Sequence, residues 1–310
     1  MIEYLILGLV QGLTEFLPVS SSGHLYLLQY TFGMEPGIEL EILLHVASLV
    51  AVVCFFWRRI WQMMVGVIPL HLAFPRGARK SFPRGKDIGW GFSEDGMLGL
   101  KIIVATIFTI PTALLIEHYM LYDLSIQVVA WSLIVTGLLV WVSHVMSDKQ
   151  HATCNMQHKH CHSESKQSED EESIRQSERS FVDTQDGKTI RDFSWIFVIL
   201  VGLAQGFAVL PGISRSGLTI AVLLILGLRR KQSAEISFLL SIPTILGALV
   251  FLLKDLEVFP QFSLPLILAL ILCTVVSWLT IKFMLRTIER CWIYFVPYCV
   301  LLGVGLLLLS

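Results

Sequence analysis

Two short stretches of the chain hold most of the residues that could do chemistry. The first contains Gln11, Glu15, Ser20, Ser21, Ser22 and His24, and the second contains Ser214, Arg215, Ser216 and Thr219. A hydroxyl nucleophile (Ser20, Ser21 or Ser22), a histidine within a turn of it and a carboxylate are the ingredients of nucleophilic displacement, with His24 as general base. Gln11 and Glu15 lie one helical turn apart, so together they could hold a divalent cation or orient His24. Such an ion would bridge phosphate oxygens and offset their charge. Arg215 is the sole Lys or Arg between Arg191 and Arg229, and a guanidinium grips a phosphoryl group bidentately. Serines that open a helix leave amide N–H groups free for an anion. Taken singly, each has a plainer use: serines bond their own backbone, and Glu15 can simply neutralise Arg215. Their concentration in two stretches is what points to a site.

The elements that carry these residues follow from composition. The 310 residues are 55% apolar and only 15% charged, with net charge −1 and mean hydropathy +0.70. Soluble domains carry about 25% charged residues, so a water-soluble globule is excluded, as are a disordered chain and a basic nucleic-acid binder. At ~20 apolar residues per crossing, six segments are long enough to span a bilayer: residues 40–57, 97–116, 126–146, 234–253, 264–283 and 292–309. Residues 2–33 and 193–227 are also apolar, but each is broken by Pro and a Ser/Gly cluster, at Pro18 to Gly23 and at Pro211 to Gly217. Pro and Gly stop helices, and broken backbone at membrane depth is tolerated only against protein or a cavity. Both stretches are expected to be re-entrant helical hairpins.

Gln11-Gly12-Leu13 opens the first stretch and Gln205-Gly206-Phe207 the second, and each runs on to Pro, hydroxyls and Ser-Gly. The chain therefore reads as an all-α duplication: residues 1–146 and 193–310, each a hairpin plus three spans, joined by a polar linker at 147–192. Three spans per repeat turn the second copy upside down, the arrangement that places binding sites near the midplane at broken helices. A buried cation at Arg215 then needs an anion: Glu15 from the other repeat, a ligand, or both. Arg58, Arg59, Arg76, Arg79, Lys80, Arg84 and Lys86 follow the first span, which makes that loop cytoplasmic and both termini external. Met1 to Gln11 lacks Lys and Arg, so no cleaved signal peptide is expected. Glu41 and His45, one turn apart at the start of the first span, either line the external mouth or sit as interface-level polar groups. Glu235 is a further candidate partner for Arg215. The six cysteines form no disulfide framework. The linker is polar and expected to be disordered; its His151, Cys154, His158, His160, Cys161 and His162 could bind a soft metal or simply be solvated.

The segment from Gln11 to His24, reading QGLTEFLPVSSSGH, resembles the first signature of the undecaprenyl-diphosphate phosphatases, also called bacitracin-resistance proteins. Pro211 to Thr219, reading PGISRSGLT, resembles their second; residues 44–49 and 235–243 also look familial, and only the linker falls outside. The resemblance implies a bacterial inner-membrane enzyme, working from the periplasmic side, that removes the terminal phosphate of undecaprenyl diphosphate. The product is the lipid carrier for peptidoglycan precursors. By position, Gln11 and Glu15 match the family's Glu/Gln-x-x-x-Glu pair, linked to a divalent cation (Mg²⁺ or Ca²⁺), with Gln11 as its neutral option. Ser21 matches the proposed nucleophile, His24 the motif histidine and Arg215 the phosphate-binding arginine. Ser20, Ser22, Ser214, Ser216 and Thr219 are expected near the diphosphate. In the expected reaction Ser21, deprotonated by His24, attacks the terminal phosphorus; attack by a His24-activated water is the variant. A transporter or flippase for phosphorylated polyprenyl lipid is the alternative, since inverted repeats with midplane hairpins serve transport as well. The expected partners are the lipid substrate and the bilayer, not nucleic acid, and the oligomeric state stays open between monomer and homodimer.

Overall fold

A computed structural model describes residues 1–34, 38–67, 94–120, 125–165, 194–253 and 263–309, with the backbone alone for 38, 94, 117, 120, 150–165, 251 and 252. Every regular element among the described residues is helical. In chain order they are α1 (Ile2–Thr14), α2 (Ser21–Thr31), α3 (Ile38–Gly66), α4 (Glu94–Met120), α5 (Ile126–Ser165), α6 (Trp195–Gly206), α7 (Arg215–Ile225), α8 (Arg230–Leu252), α9 (Leu264–Cys291) and α10 (Phe295–Leu309). Short 3₁₀ turns at Phe207–Val209 and Trp292–Tyr294 follow α6 and α9. The acidic and basic loop residues 68–93 and 166–193 lie outside the described residues, as do the side chains of the linker's His/Cys cluster.

Five stretches are long and apolar enough to cross a membrane: Glu39–Gly66, Asp95–Ile116, Ile126–Lys149, Arg230–Val250 and Leu264–Leu309. The last contains two of the six sequence-derived segments, divided by the 3₁₀ turn at Trp292. The outer surface is correspondingly apolar. On α4, Ile103, Ile107, Ile110 and Leu114 recur at helical spacing and each is more than half exposed. A stripe of that kind is intolerable in water and ordinary against lipid. The protein is an all-helical, polytopic integral membrane protein.

Without a hydrophobic force between helices in lipid, close packing depends on small residues, and the sequence supplies glycines where helices meet. A methyl group on Gly8 of α1 would sit 2.5 Å from the Ala269 carbonyl oxygen of α9, and one on Gly12 would sit 2.8 Å from that of Cys273. Gly202 of α6 stands in the same relation to the Ala105 carbonyl of α4, and Gly206 to Thr112. The third tight pair, α5 with α10, has Gly303 against the Ala130 carbonyl. The first helix of each broken pair thus lies against the fourth helix of the other half. Inside, Phe16 meets Phe238 edge-on with ring centroids 5.1 Å apart. The fully buried Trp292 donates its indole N–H to Ser143 Oγ at 3.1 Å, which satisfies its one polar atom.

Candidate active site

Both apolar stretches break where the sequence places Pro and the hydroxyls. Helix α1 ends at Thr14 and α2 begins at Ser21; α6 gives way to a 3₁₀ turn and α7 begins at Arg215. The two restarts are capped alike. Ser20 Oγ accepts the Gly23 amide at 3.2 Å, and Ser214 Oγ accepts the Gly217 amide at 3.0 Å. Each cap satisfies one of the amides a helix start leaves unpaired. Ser21 and Arg215 are therefore the first residues of their helices, where an anion is favoured. Ser20 takes φ +66° without being glycine, the one such residue among those described. A conformation of that sort costs of order 1–3 kcal/mol and is found at functional sites.

The two turns touch. A methyl on Gly23 would lie 3.1 Å from the Gly212 Cα, and one on Gly217 would lie 3.1 Å from the Pro18 Cβ. Each turn is also held by the opposite half. Thr136 of α5 donates to the Gly212 carbonyl and accepts the Ser214 amide, both at 3.2 Å. Cys299 of α10 donates to the Pro18 carbonyl at 3.3 Å. Ser214 and Ser216 reach across to the Leu17 carbonyl at 3.4 and 3.0 Å.

This contact delivers Arg215 to Glu15. The Glu15 side chain is 2% exposed and its Oε1 pairs with the guanidinium. Its Oε2 accepts from Ser21 Oγ at 2.6 Å and from Gln11 Nε2 at 2.9 Å, with His45 Nε2 at 3.2 Å. Glu15 is thus the centre on which four helices converge. A carboxylate receiving an alcohol's hydrogen at 2.6 Å is placed to act as a base toward that oxygen.

The other predicted residues sit at different removes. His24 is not bonded to Ser21. Its Nδ1 meets the Ser20 carbonyl at 2.6 Å, and a carbonyl can only accept, so Nδ1 carries the hydrogen and Nε2 is the free base. That nitrogen accepts from Tyr298 Oη at 2.7 Å, with the rings stacked at 5.8 Å. Ser22, half-buried, is 3.4 Å from Ser20 Oγ. Thr219 is fully buried and turns away from the carboxylate, bonding the Arg215 and Ser216 carbonyls and lying 2.5 Å from Ser237 Oγ. Tyr298 was not singled out in the sequence, although a tyrosine in an apolar span needs a partner for its hydroxyl.

For a cation, one detail of the site is informative: Gln11 Oε1 is buried without a hydrogen-bond partner. An orphaned amide oxygen beside a carboxylate is the donor type a hard divalent ion takes. Among the described residues, no group of three or more His, Cys, Asp or Glu could hold a metal alone. Gln11 and Glu15 thus fit as two oxygen donors of a divalent ion.

Residues 4–305 match the family model described as Bacitracin resistance protein BacA. The chain belongs to the BacA family. Similar relatives include an undecaprenyl-diphosphatase of Desulfatibacillum aliphaticivorans, 34% identical and covering 99% of this chain and 97% of the relative. One from Treponema denticola is 35% identical over 98% and 95% of the two chains. Undecaprenyl-diphosphatase 2 of Halalkalibacterium halodurans is 33% identical over 98% and 94%. The family match covers both broken stretches, so the Glu15 cluster lies within the part of the chain that the family shares.

Proposed function

We propose that this protein hydrolyses undecaprenyl diphosphate to undecaprenyl phosphate and inorganic phosphate at the Glu15 cluster, recycling the lipid carrier and giving bacitracin resistance. Membership of the BacA family and relatives named for that diphosphatase support the activity over a transporter of the same lipid. The observation that carries the site is the single carboxylate that joins Ser21 to Arg215 across the two turns.

The architecture of this reading has six spans and two re-entrant hairpins in inverted repeats, 1–146 and 193–310. Its support is the matched caps at Ser20 and Ser214 and the matched packing of α1 on α9 and α6 on α4. The site opens to the periplasmic side of the inner membrane. Arg58, with Arg59 beside it, lies thirteen residues beyond His45 on α3, ~20 Å along the axis, so the cations that mark the cytoplasmic end are remote from Glu15.

In the reaction, the diphosphate head enters between the turns and the guanidinium of Arg215 passes from Glu15 to the terminal phosphoryl oxygens. Ser21 Oγ forms a bond to the terminal phosphorus as the bridging P–O bond breaks; the serine proton goes to Glu15 Oε2, and undecaprenyl phosphate leaves. Helix-start amides of α2 and α7 and Arg215 stabilise the equatorial oxygens. Water then attacks the phosphoserine, its proton passing to His24 Nε2, while Glu15 returns a proton to Ser21 Oγ as phosphate departs. Ser20, Ser22, Ser214 and Ser216 shape the anion's surroundings, and Thr219 braces α7 from behind. Gln11 and Glu15 would hold a Mg²⁺ or Ca²⁺ ion, which supplies charge neutralisation for the diphosphate. The test is phosphate release from undecaprenyl diphosphate by detergent-purified protein. Wild type should turn over, with Ser21→Ala and Arg215→Ala each reduced ~10²-fold or more. Wild-type rates in both variants would overturn the assignment.

A further inference from the structure

The ion pair that identifies the site has a consequence for turnover. If Arg215 serves the diphosphate, it must loosen from Glu15, yet that carboxylate is almost wholly buried. A buried carboxylate left without donors is expensive, and one free to rotate would follow the guanidinium away from Ser21. The remaining contacts must fix it.

Three donors share Oε2. Gln11 comes from the same helix turn and Ser21 is the reacting group itself. The third, His45 Nε2 at 3.2 Å, comes from α3, outside both turns. Its ring is fastened from behind, with Nδ1 2.7 Å from the Glu41 carbonyl one turn back. The carbonyl and the carboxylate can only accept, so both ring nitrogens carry hydrogen: His45 is the imidazolium, donating from Nδ1 to Glu41 and from Nε2 to Glu15, and its ring plane is set by α3. Helix α3 is itself pinned to α9: Thr274 donates to the Ala47 carbonyl at 3.0 Å and Ser277 to Ser48 Oγ at 3.2 Å. His45 thus ties the carboxylate to a part of the molecule that need not move when substrate enters.

We infer that His45 is a positioning residue of the phosphatase: it holds Glu15 Oε2 on Ser21 while Arg215 moves to the diphosphate. The inference rests on the Glu15–Ser21 assignment above. It belongs to the chemical step, so a defect should fall on kcat. Misplacing a reacting group by about 1 Å lowers a rate ~10²-fold.

The experiment measures kcat and KM for phosphate release by purified full-length His45→Ala and His45→Gln, with Ser21→Ala alongside and size-exclusion profiles as the check on folding. His45→Ala should lose ~10²-fold in kcat, with KM within about threefold of wild type. His45→Gln, which keeps an N–H for the carboxylate, should recover to within ~10-fold of wild type. Added imidazole should raise the rate of His45→Ala, since the ring lies at a partly open position; a defect of folding alone would not respond. Near-normal kcat in His45→Ala, a loss confined to KM, or a His45→Ala deficit that neither imidazole nor His45→Gln relieves would overturn the inference. Wild-type turnover by Ser21→Ala would instead overturn the site assignment on which it stands.

Discussion

Glu15→Gln is the sharpest perturbation of the cluster because it keeps the shape and removes the acceptor. Four donors point at the carboxylate: Gln11 Nε2, Ser21 Oγ, His45 Nε2 and Arg215. A glutamine presents one oxygen, which can accept about two of them, and an NH₂ group that faces the others donor to donor. Each buried donor stranded in this way costs about 1–3 kcal/mol, so two of them lower stability by about 2–6 kcal/mol. The chemical effect is separate. Ser21 loses the base that takes its proton, a loss of ~10²–10⁴-fold in rate, or about 3–5 kcal/mol on the barrier. The assay is phosphate release from undecaprenyl diphosphate, read beside the thermal unfolding midpoint in the same detergent. The variant should be both slower and less stable. A Glu15→Gln protein that keeps more than about a tenth of wild-type kcat would refute Glu15 as the proton acceptor.

Two further outcomes follow from geometry. Arg215→Lys preserves the charge and its pairing with Glu15 but loses the planar fork; kcat/KM should fall ~10- to 10²-fold with the unfolding midpoint little changed. Gly8→Val would drive a side chain into the Ala269 carbonyl, pushing α1 off α9 and destabilising the protein by about 1–3 kcal/mol. Since α1 carries Gln11 and leads directly to Glu15, activity should fall with it, checked by parallel melting and phosphate-release curves.

How much of this was legible in the sequence differs from residue to residue. The breaks near Pro18 and Pro211 could be read because Pro and Gly act locally, within a few residues of where they stand. Glu15 facing Arg215 was among the partners anticipated, on the ground that a cation in an apolar stretch must meet an anion. What single residues could not reveal was which donors share which oxygen. His24 stands three residues from Ser21 and reads as its base, but the Ser20 carbonyl holds the ring and turns Nε2 toward Tyr298, 274 positions away. His45, read as either a mouth residue or an interface-level one, reaches Glu15 because α3 passes beside the turn. Thr219 carries a hydroxyl like its neighbours, and only the packing of α7 on α8 assigns it to Ser237. Contacts between distant segments decide these roles, and local spacing does not encode them.

In the proposed reaction the Ser21 oxygen itself takes the phosphoryl group. Undecaprenyl diphosphate labelled in its terminal phosphate, mixed rapidly with the enzyme and quenched in acid, reports this directly by peptide mapping. Label on the peptide holding Ser21 in wild type, absent in an inactive Ser21→Ala protein, is the expected result. Rapid turnover by Ser21→Ala, with no label on either protein, would contradict it.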